Sequence, residues 1–213
     1  MNKILQAIVW ALLIVSQTVH AQALEELFKA VEEGNIKRTE FYLDRGLDPN
    51  STDASGTTIL MVASRMGHTE LASVLLERKA SVSHQTPAGD TALLMACLGG
   101  HLDIVKLLVK SGAPVQARSG WQPIHYAAFS GATDVVAFLL DQGADKNARA
   151  PQNQYTPLML AIRNGYGETA KLLIAKGADL AGRGVAGETA LMIAERREDP
   201  ALVALLKQAG AAE

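Results

Sequence analysis

Residues 182–194 read GRGVAGETALMIA, so Gly182, Gly184 and Gly187 form a G-x-G-x-x-G. Glycines at that spacing cradle a dinucleotide pyrophosphate when they follow a buried strand and open a helix. The preceding residues, LLIAKGADLA, carry a helical pattern closed by Leu172, Leu173 and Ile174, with Gly177 where a C-cap glycine belongs. Asp199 stands near the distance expected of a ribose-binding acid, but between helical segments. The motif without its strand does not support nucleotide binding. Other chemistry is equally thin. His20, His68, His84, His101 and His125 have no Cys or His partner at metal-ligand spacing. The serines lack a G-x-S-x-G elbow, and the run Glu195-Arg196-Arg197-Glu198-Asp199 reads as a solvated end. The single cysteine, Cys97, allows no intramolecular disulfide and reads as a buried thiol. The expectation is a chain with no catalytic residue, no cofactor and no metal.

The glycines have a second explanation, which is recurrence. The skeleton Gly187-x-Thr189-x-Leu191-x-x-Ala194 returns as GTTILMVA from Gly56, GDTALLMA from Gly89, GWQPIHYA from Gly120 and QYTPLMLA from Gln154. A glycine follows the alanine by four residues at Gly67, Gly100, Gly131 and Gly165, and a second apolar stretch comes next. Five copies spaced by about 33 residues, with T-P-L-H-x-A and G-H signatures, resemble the ankyrin repeat. The resemblance runs from about Leu24 to the C-terminus. It implies an all-α fold, an ankyrin-repeat solenoid of helix-turn-helix units with short β-hairpin finger loops. The N-terminal cap spans 22–52, full repeats about 53–85, 86–116, 117–150 and 151–183, and the C-terminal repeat or cap 184–213.

The residues fit such units. Thr58, Thr91, Thr156 and Thr189 precede each first helix, where a hydroxyl can accept an orphan N–H; Gln122 takes that place once and should cap less well. Pro123 and Pro157 fall in first turns, where a missing N–H costs nothing. Ala63, Ala96, Ala127, Ala161 and Ala194 let helices approach closely. Gly46, Gly112, Gly143 and Gly177 end second helices, with Lys79 in the matching place of one repeat, and Glu198 replaces the inter-helix glycine of the last. His68, His101 and His125 occupy signature positions and are expected to be structural.

The first 21 residues differ. A basic MNK start, the apolar ILQAIVWALLIV, and small Val19 and Ala21 before Gln22 read as a cleavable secretory signal. The apolar run is shorter than the ~20 residues a bilayer needs. No cysteine follows it, which excludes a lipoprotein anchor. The expected location is the periplasm. Loss of Lys3 makes the formal charge of −2 one unit more negative, since the removed segment has no acidic residue. Mild acidity argues against nucleic acid and anionic membranes as partners.

What remains is surface. The variable positions of the family map onto the residue after each turn glycine and the pair after the two alanines. Trp121, Phe129 and Tyr155 cluster there as aromatics that packing does not demand, with Arg163 and Asn164 beside them and Arg65 and Met66 further along. Aromatics and arginine anchor protein interfaces. The alternative for Trp121 and Tyr155 is packing between neighbouring fingers. The reading is a monomeric, non-catalytic periplasmic scaffold that binds another protein through its concave surface, supporting or neutralising an exported partner. The alternative is an effector, or an enzyme or ligand accessory protein, delivered outside the cell.

Overall fold

The computed structural model describes residues 19–117 and 120–211. Of the expected leader, residues 1–18 lie outside the described residues; 19–22, around the junction, are exposed at the start of the first helix. Helices follow one another in pairs. They are α1 (19–32) with α2 (Ile36–Asp44), α3 (Ile59–Met66) with α4 (Thr69–Glu77), and α5 (Ala92–Gly99) with α6 (Leu102–Lys110). Then come α7 (Pro123–Phe129) with α8 (Thr133–Asp141), α9 (Pro157–Asn164) with α10 (Gly167–Ala175), and α11 (Ala190–Arg196) with α12 (Pro200–Gln208).

Each helix is too short to be stable alone, so packing must hold it. From α3 onward, odd-numbered helices stack on one another as a first layer and even-numbered helices as a second, with each hairpin joining the layers. The core is the seam between them. Ile59, Leu93, Ile124 and Leu158 from the first layer meet Leu75, Ile104, Leu108 and Leu139 from the second, all essentially without solvent exposure. Ala63, Ala96, Ala127, Ala161 and Ala194 are fully buried. A methyl at these points lets first-layer helices pack more closely than second-layer helices do. The stack therefore curves toward the first layer and its fingers, which form the concave side.

Local chemistry sets the ends of the elements. The hydroxyls of Thr58, Thr91, Thr156 and Thr189 each accept the backbone N–H three residues on, at 3.2–3.3 Å. Gln122 does something else: its side chain accepts from Ala117 N–H at 2.7 Å and donates back to Ala117 C=O, closing the third finger. The open place at that helix start is filled by His125, whose Nδ1 accepts the Gln122 N–H at 2.9 Å. The other fingers close by a backbone bond, as from Asp53 N–H to Thr57 C=O and from Gly184 N–H to Glu188 C=O. Among the described residues the hairpins contain one isolated bridge, Thr52 with Thr58, and no named strand.

Repeats are joined by a ladder of side-chain bonds to the carbonyls that end the preceding first helix. His68 Nε2 donates to Glu32, His101 Nε2 to Arg65, Ser130 Oγ to Cys97, Asn164 Nδ2 to Phe129 and Arg197 Nη1 to Arg163, at 2.6–3.3 Å. Except for that of Cys97, which also accepts from Gly100 N–H, these are carbonyls that a helix leaves without internal partners. The ladder needs glycine behind it. At Gly67, φ is +83° and an added Cβ would lie 2.7 Å from the His101 ring; at Gly131, φ is +73° and it would lie 2.5 Å from Tyr166. Both the left-handed backbone and the close approach exclude a side chain.

Lys79, Gln154 and Glu198 adopt positive φ, at 67°, 59° and 56°. All three stand where another repeat has glycine. Left-handed backbone costs an L-residue roughly 1–2 kcal/mol, and glycine returns part of that as unfolded-chain entropy. Lys79→Gly, Gln154→Gly and Glu198→Gly are each expected to stabilise the fold by roughly 0.5–1 kcal/mol. Urea unfolding measures this; a lowered midpoint would mean that their side-chain contacts outweigh the strain.

Candidate functional site

The concave face is built from the C-terminal turns of the first-layer helices and the fingers beside them. One position recurs along it: Arg65 on α3, Leu98 on α5, Phe129 on α7, Arg163 on α9 and Arg196 on α11, all exposed. The alanine two residues earlier in each helix faces the core, and the helical turn then aims this position at solvent. Phe129, 43% exposed, and Leu98, 37%, make the row apolar between Arg65 and Arg163, and Met66, 47% exposed, stands beside Arg65.

The seven expected contact residues divide. Arg65, Met66, Phe129 and Arg163 are exposed on the concave side. Trp121 is half-buried, and its placement corrects the expectation of a free finger-tip aromatic. Its indole N–H donates to Gln152 Oε1 of the next finger at 3.1 Å. The ring meets Tyr126 and Phe129 edge-on, with centroids 5.4 and 5.8 Å away, and His125 at a tilt of 57°, 5.9 Å away. Trp121 thus ties a finger to its helix while presenting one edge beside Phe129. Asn164 is half-buried and donates to Phe129 C=O, so it serves the ladder between repeats.

Tyr155 is corrected outright. Only 8% exposed, it donates its hydroxyl to Glu188 Oε1 at 2.6 Å, across one repeat. Gly184 allows this, because a Cβ there would come within 2.8 Å of the Tyr155 ring and 2.9 Å of the Glu188 carboxyl carbon. This glycine of the apparent phosphate motif is therefore a packing glycine. The hydrogen bond from Tyr155 lowers the Glu188 pKa, while the bond to Glu188, helped by burial, raises that of Tyr155. The proton stays on the phenol and the carboxylate stays charged. Arg163 lies over the exposed side of Tyr155, 5.6 Å from the ring centroid.

Leu98 and Arg196 complete the exposed row and were not singled out by residue type. The signal for them was register, since both align with Phe129. The histidines are structural. His125 is fully buried with Nε2 donating to Ala148 C=O, and His84 reaches Gly56 C=O. Burial lowers the His125 pKa, the Ala148 bond opposing it in part, so the ring is neutral. Burial likewise raises the pKa of the Cys97 thiol and leaves it unreactive.

A family model described as "Ankyrin repeats (3 copies)" matches residues 27–118, 78–150 and 148–212. The chain belongs to the ankyrin repeat family. A putative ankyrin repeat-containing protein of Treponema pallidum is 31% identical over 187 residues, 88% of this chain and 41% of its own length. A putative ankyrin repeat protein of Rickettsia bellii is 30% identical over 156 residues, 72% of this chain and 48% of its own. The chain spans less than half the length of these curated relatives. The crystal structure of the human ASB11 ankyrin repeat domain superposes with a TM-score of 0.82 at 28% identity, covering 87% of this chain and 84% of that one. Ankyrin repeats imply a protein-binding scaffold, and ankyrin repeat proteins are generally non-catalytic. Among the described residues, no helix of this ankyrin protein is long and apolar enough to cross a membrane.

Tyr155→Phe would remove the side-chain hydrogen bond to the buried Glu188 carboxylate, whose Oε2 has no partner, and leave it only the backbone N–H groups of Glu188 and Ala186. Hydrogen bonds to charged groups contribute roughly 1.5–3 kcal/mol, so a loss of about 2 kcal/mol is expected at pH 7. The folded pKa of Glu188 is depressed, so this stabilisation is present above its ordinary value of 4.5 and fades as pH falls below it. Urea midpoints of parent and variant at pH 7 and pH 3.5 check both points. Equal stability at pH 7 would remove the bond from the account.

Proposed function

We propose that this ankyrin protein is an exported, non-catalytic scaffold that binds another protein through its concave face. The supporting observation is the exposed pair Leu98 and Phe129 in one row, with Arg65 before them, Met66 beside Arg65, and Arg163 and Arg196 after them. Apart from the edge contact of Phe129 with Trp121, no packing within the fold accounts for apolar side chains at these points. Equivalent positions tolerate arginine elsewhere in the same layer, so the fold itself is indifferent to the residue there. Apolar side chains with arginine have the composition of interface centres.

Export rests on the leader read from the sequence. The described residues of the leader, 19–21, are exposed, and the first fully buried side chain among the described residues is Leu27. The reading places a monomer in the periplasm, with an exported protein as its client. N-terminal sequencing of the protein recovered from the periplasm is expected to begin at Gln22 or within a few residues of it. Recovery from the membrane with Met1 intact would contradict the location.

A photo-crosslinking amino acid at Phe129, compared with one at exposed Lys106 of the second layer, tests the surface in the living cell. A partner trapped from Phe129 alone supports the reading, and one trapped from Lys106 alone contradicts it. Interface anchors typically contribute about 2 kcal/mol, so Phe129→Ala should weaken binding of the trapped partner about thirtyfold, with only a small fall in melting temperature from the lost Trp121 edge contact. Trp121→Ala should weaken binding as well, but lower the melting temperature more, because the indole also joins two fingers.

A further inference from the structure

Taking the concave face as the binding face, we infer that its partner presents an extended segment with an apolar centre and carboxylates on both sides. The order along the row is Arg65, Leu98, Phe129, Arg163, Arg196, one residue per repeat, with Trp121 against its middle. None of the three arginines has a carboxylate within ion-pair distance among the described residues; Arg38 and Arg78 do, while Arg45, Arg149, Arg183 and Arg197, also without ion pairs, donate to backbone carbonyls. Three acidic residues stand by the row: Glu32 on α1 holds the same register beyond Arg65 and is exposed, and the other two are engaged. Asp90 stands by the Tyr126 hydroxyl, whose pKa burial and that charge raise together. Glu188 is turned beneath its finger to Tyr155, and the charge of Arg196 reaches it without pairing.

Other acidic residues have places of their own. Glu70, Asp103, Asp134 and Glu168 each sit in the first turn of a second-layer helix, where the helix dipole favours them. Unpaired guanidinium groups on a protein of net negative charge form a local positive field that selects carboxylates and repels amines. Neighbouring packed helices lie about 8–10 Å apart, so the four steps of the row span about 32–40 Å. An extended chain rises about 3.3 Å per residue, so about twelve residues cover it. The apolar pair falls nearer the Arg65 end, and the two arginines at the other end call for the heavier acidic cluster.

The test uses a synthetic twelve-residue peptide with one glutamate before a Leu-Phe centre and three after it. One twin carries lysine for every glutamate, and another carries Ser-Ser for Leu-Phe. Each is titrated into the protein lacking its leader, followed by Trp121 fluorescence and by amide chemical shifts. The acidic peptide is expected to bind at least tenfold more tightly than either twin. It should shift amides of α5, α7 and α9, and lose its advantage over the lysine twin in 0.5 M salt. Arg163→Gln with Arg196→Gln should abolish that advantage, while Arg78→Gln should not. Equal or tighter binding of the lysine twin, or no binding of any peptide, overturns the inference. If the peptides bind the concave face without regard to charge, only the carboxylate chemistry fails; shifts confined to second-layer helices would sink the concave-face reading as well.

Discussion

The structure depends on a junction that recurs at the end of each first-layer helix. There the chain turns through a left-handed residue, and the next repeat lays a side chain against the turn and donates to the carbonyls the helix leaves open. At Gly67 the side chain is His101, and at Gly165 it is Arg197, whose guanidinium lies 2.6 Å from where a Cβ would be. A helix of eight residues cannot hold itself together in water, and its terminal carbonyls cannot be buried unpaired. The neighbouring repeat answers both needs. Order therefore passes from unit to unit, and the close spacing of the first layer follows, as does the curvature that makes a concave face.

Because that junction is local in sequence, most of the fold could be read from the chain. Glycine, threonine and alanine recur at fixed offsets, and each has one backbone or packing reason to do so. Even the departures were informative: Lys79, Gln154 and Glu198 keep the left-handed conformation of the glycines they replace. What could not be read were contacts made across repeats by residues with no fixed partner type. Tyr155 is buried because Glu188, in the next repeat, meets its hydroxyl and because Gly184 leaves room for the ring. Asn164 and Arg197 replace the ladder histidines with different chemistry from a neighbouring position. Trp121 depends on Gln152 in the finger beyond. In each case residue type suggested a surface role, and a neighbour about one repeat away added or substituted a structural one.

The same reasoning separates scaffold from binding surface. Buried and ladder positions are spoken for, so variation that serves binding is confined to side chains facing away from both layers. Leu98 and Phe129 occupy such a position, as do the arginines on either side. The scaffold fixes where these side chains stand, so a partner meets a face that needs little ordering on association, which favours affinity. The site is thus a property of one register line along the solenoid. It is not a pocket, and no single repeat contains it.

The central claim is that each repeat is completed by its neighbour, and removal of the last unit tests it most directly. Equilibrium urea unfolding of the chain ending before Gly184 should show a folded, helical protein with lower stability and a smaller dependence on denaturant, in keeping with the surface lost. Loss of Arg197 would leave the α9 carbonyls open, and Met159 would lose the helix that covers it. Amide exchange in the same protein should quicken most in α9 and α10 and hardly at all in α3 and α4. Unchanged stability, or exchange that quickens equally in all repeats, would contradict the account.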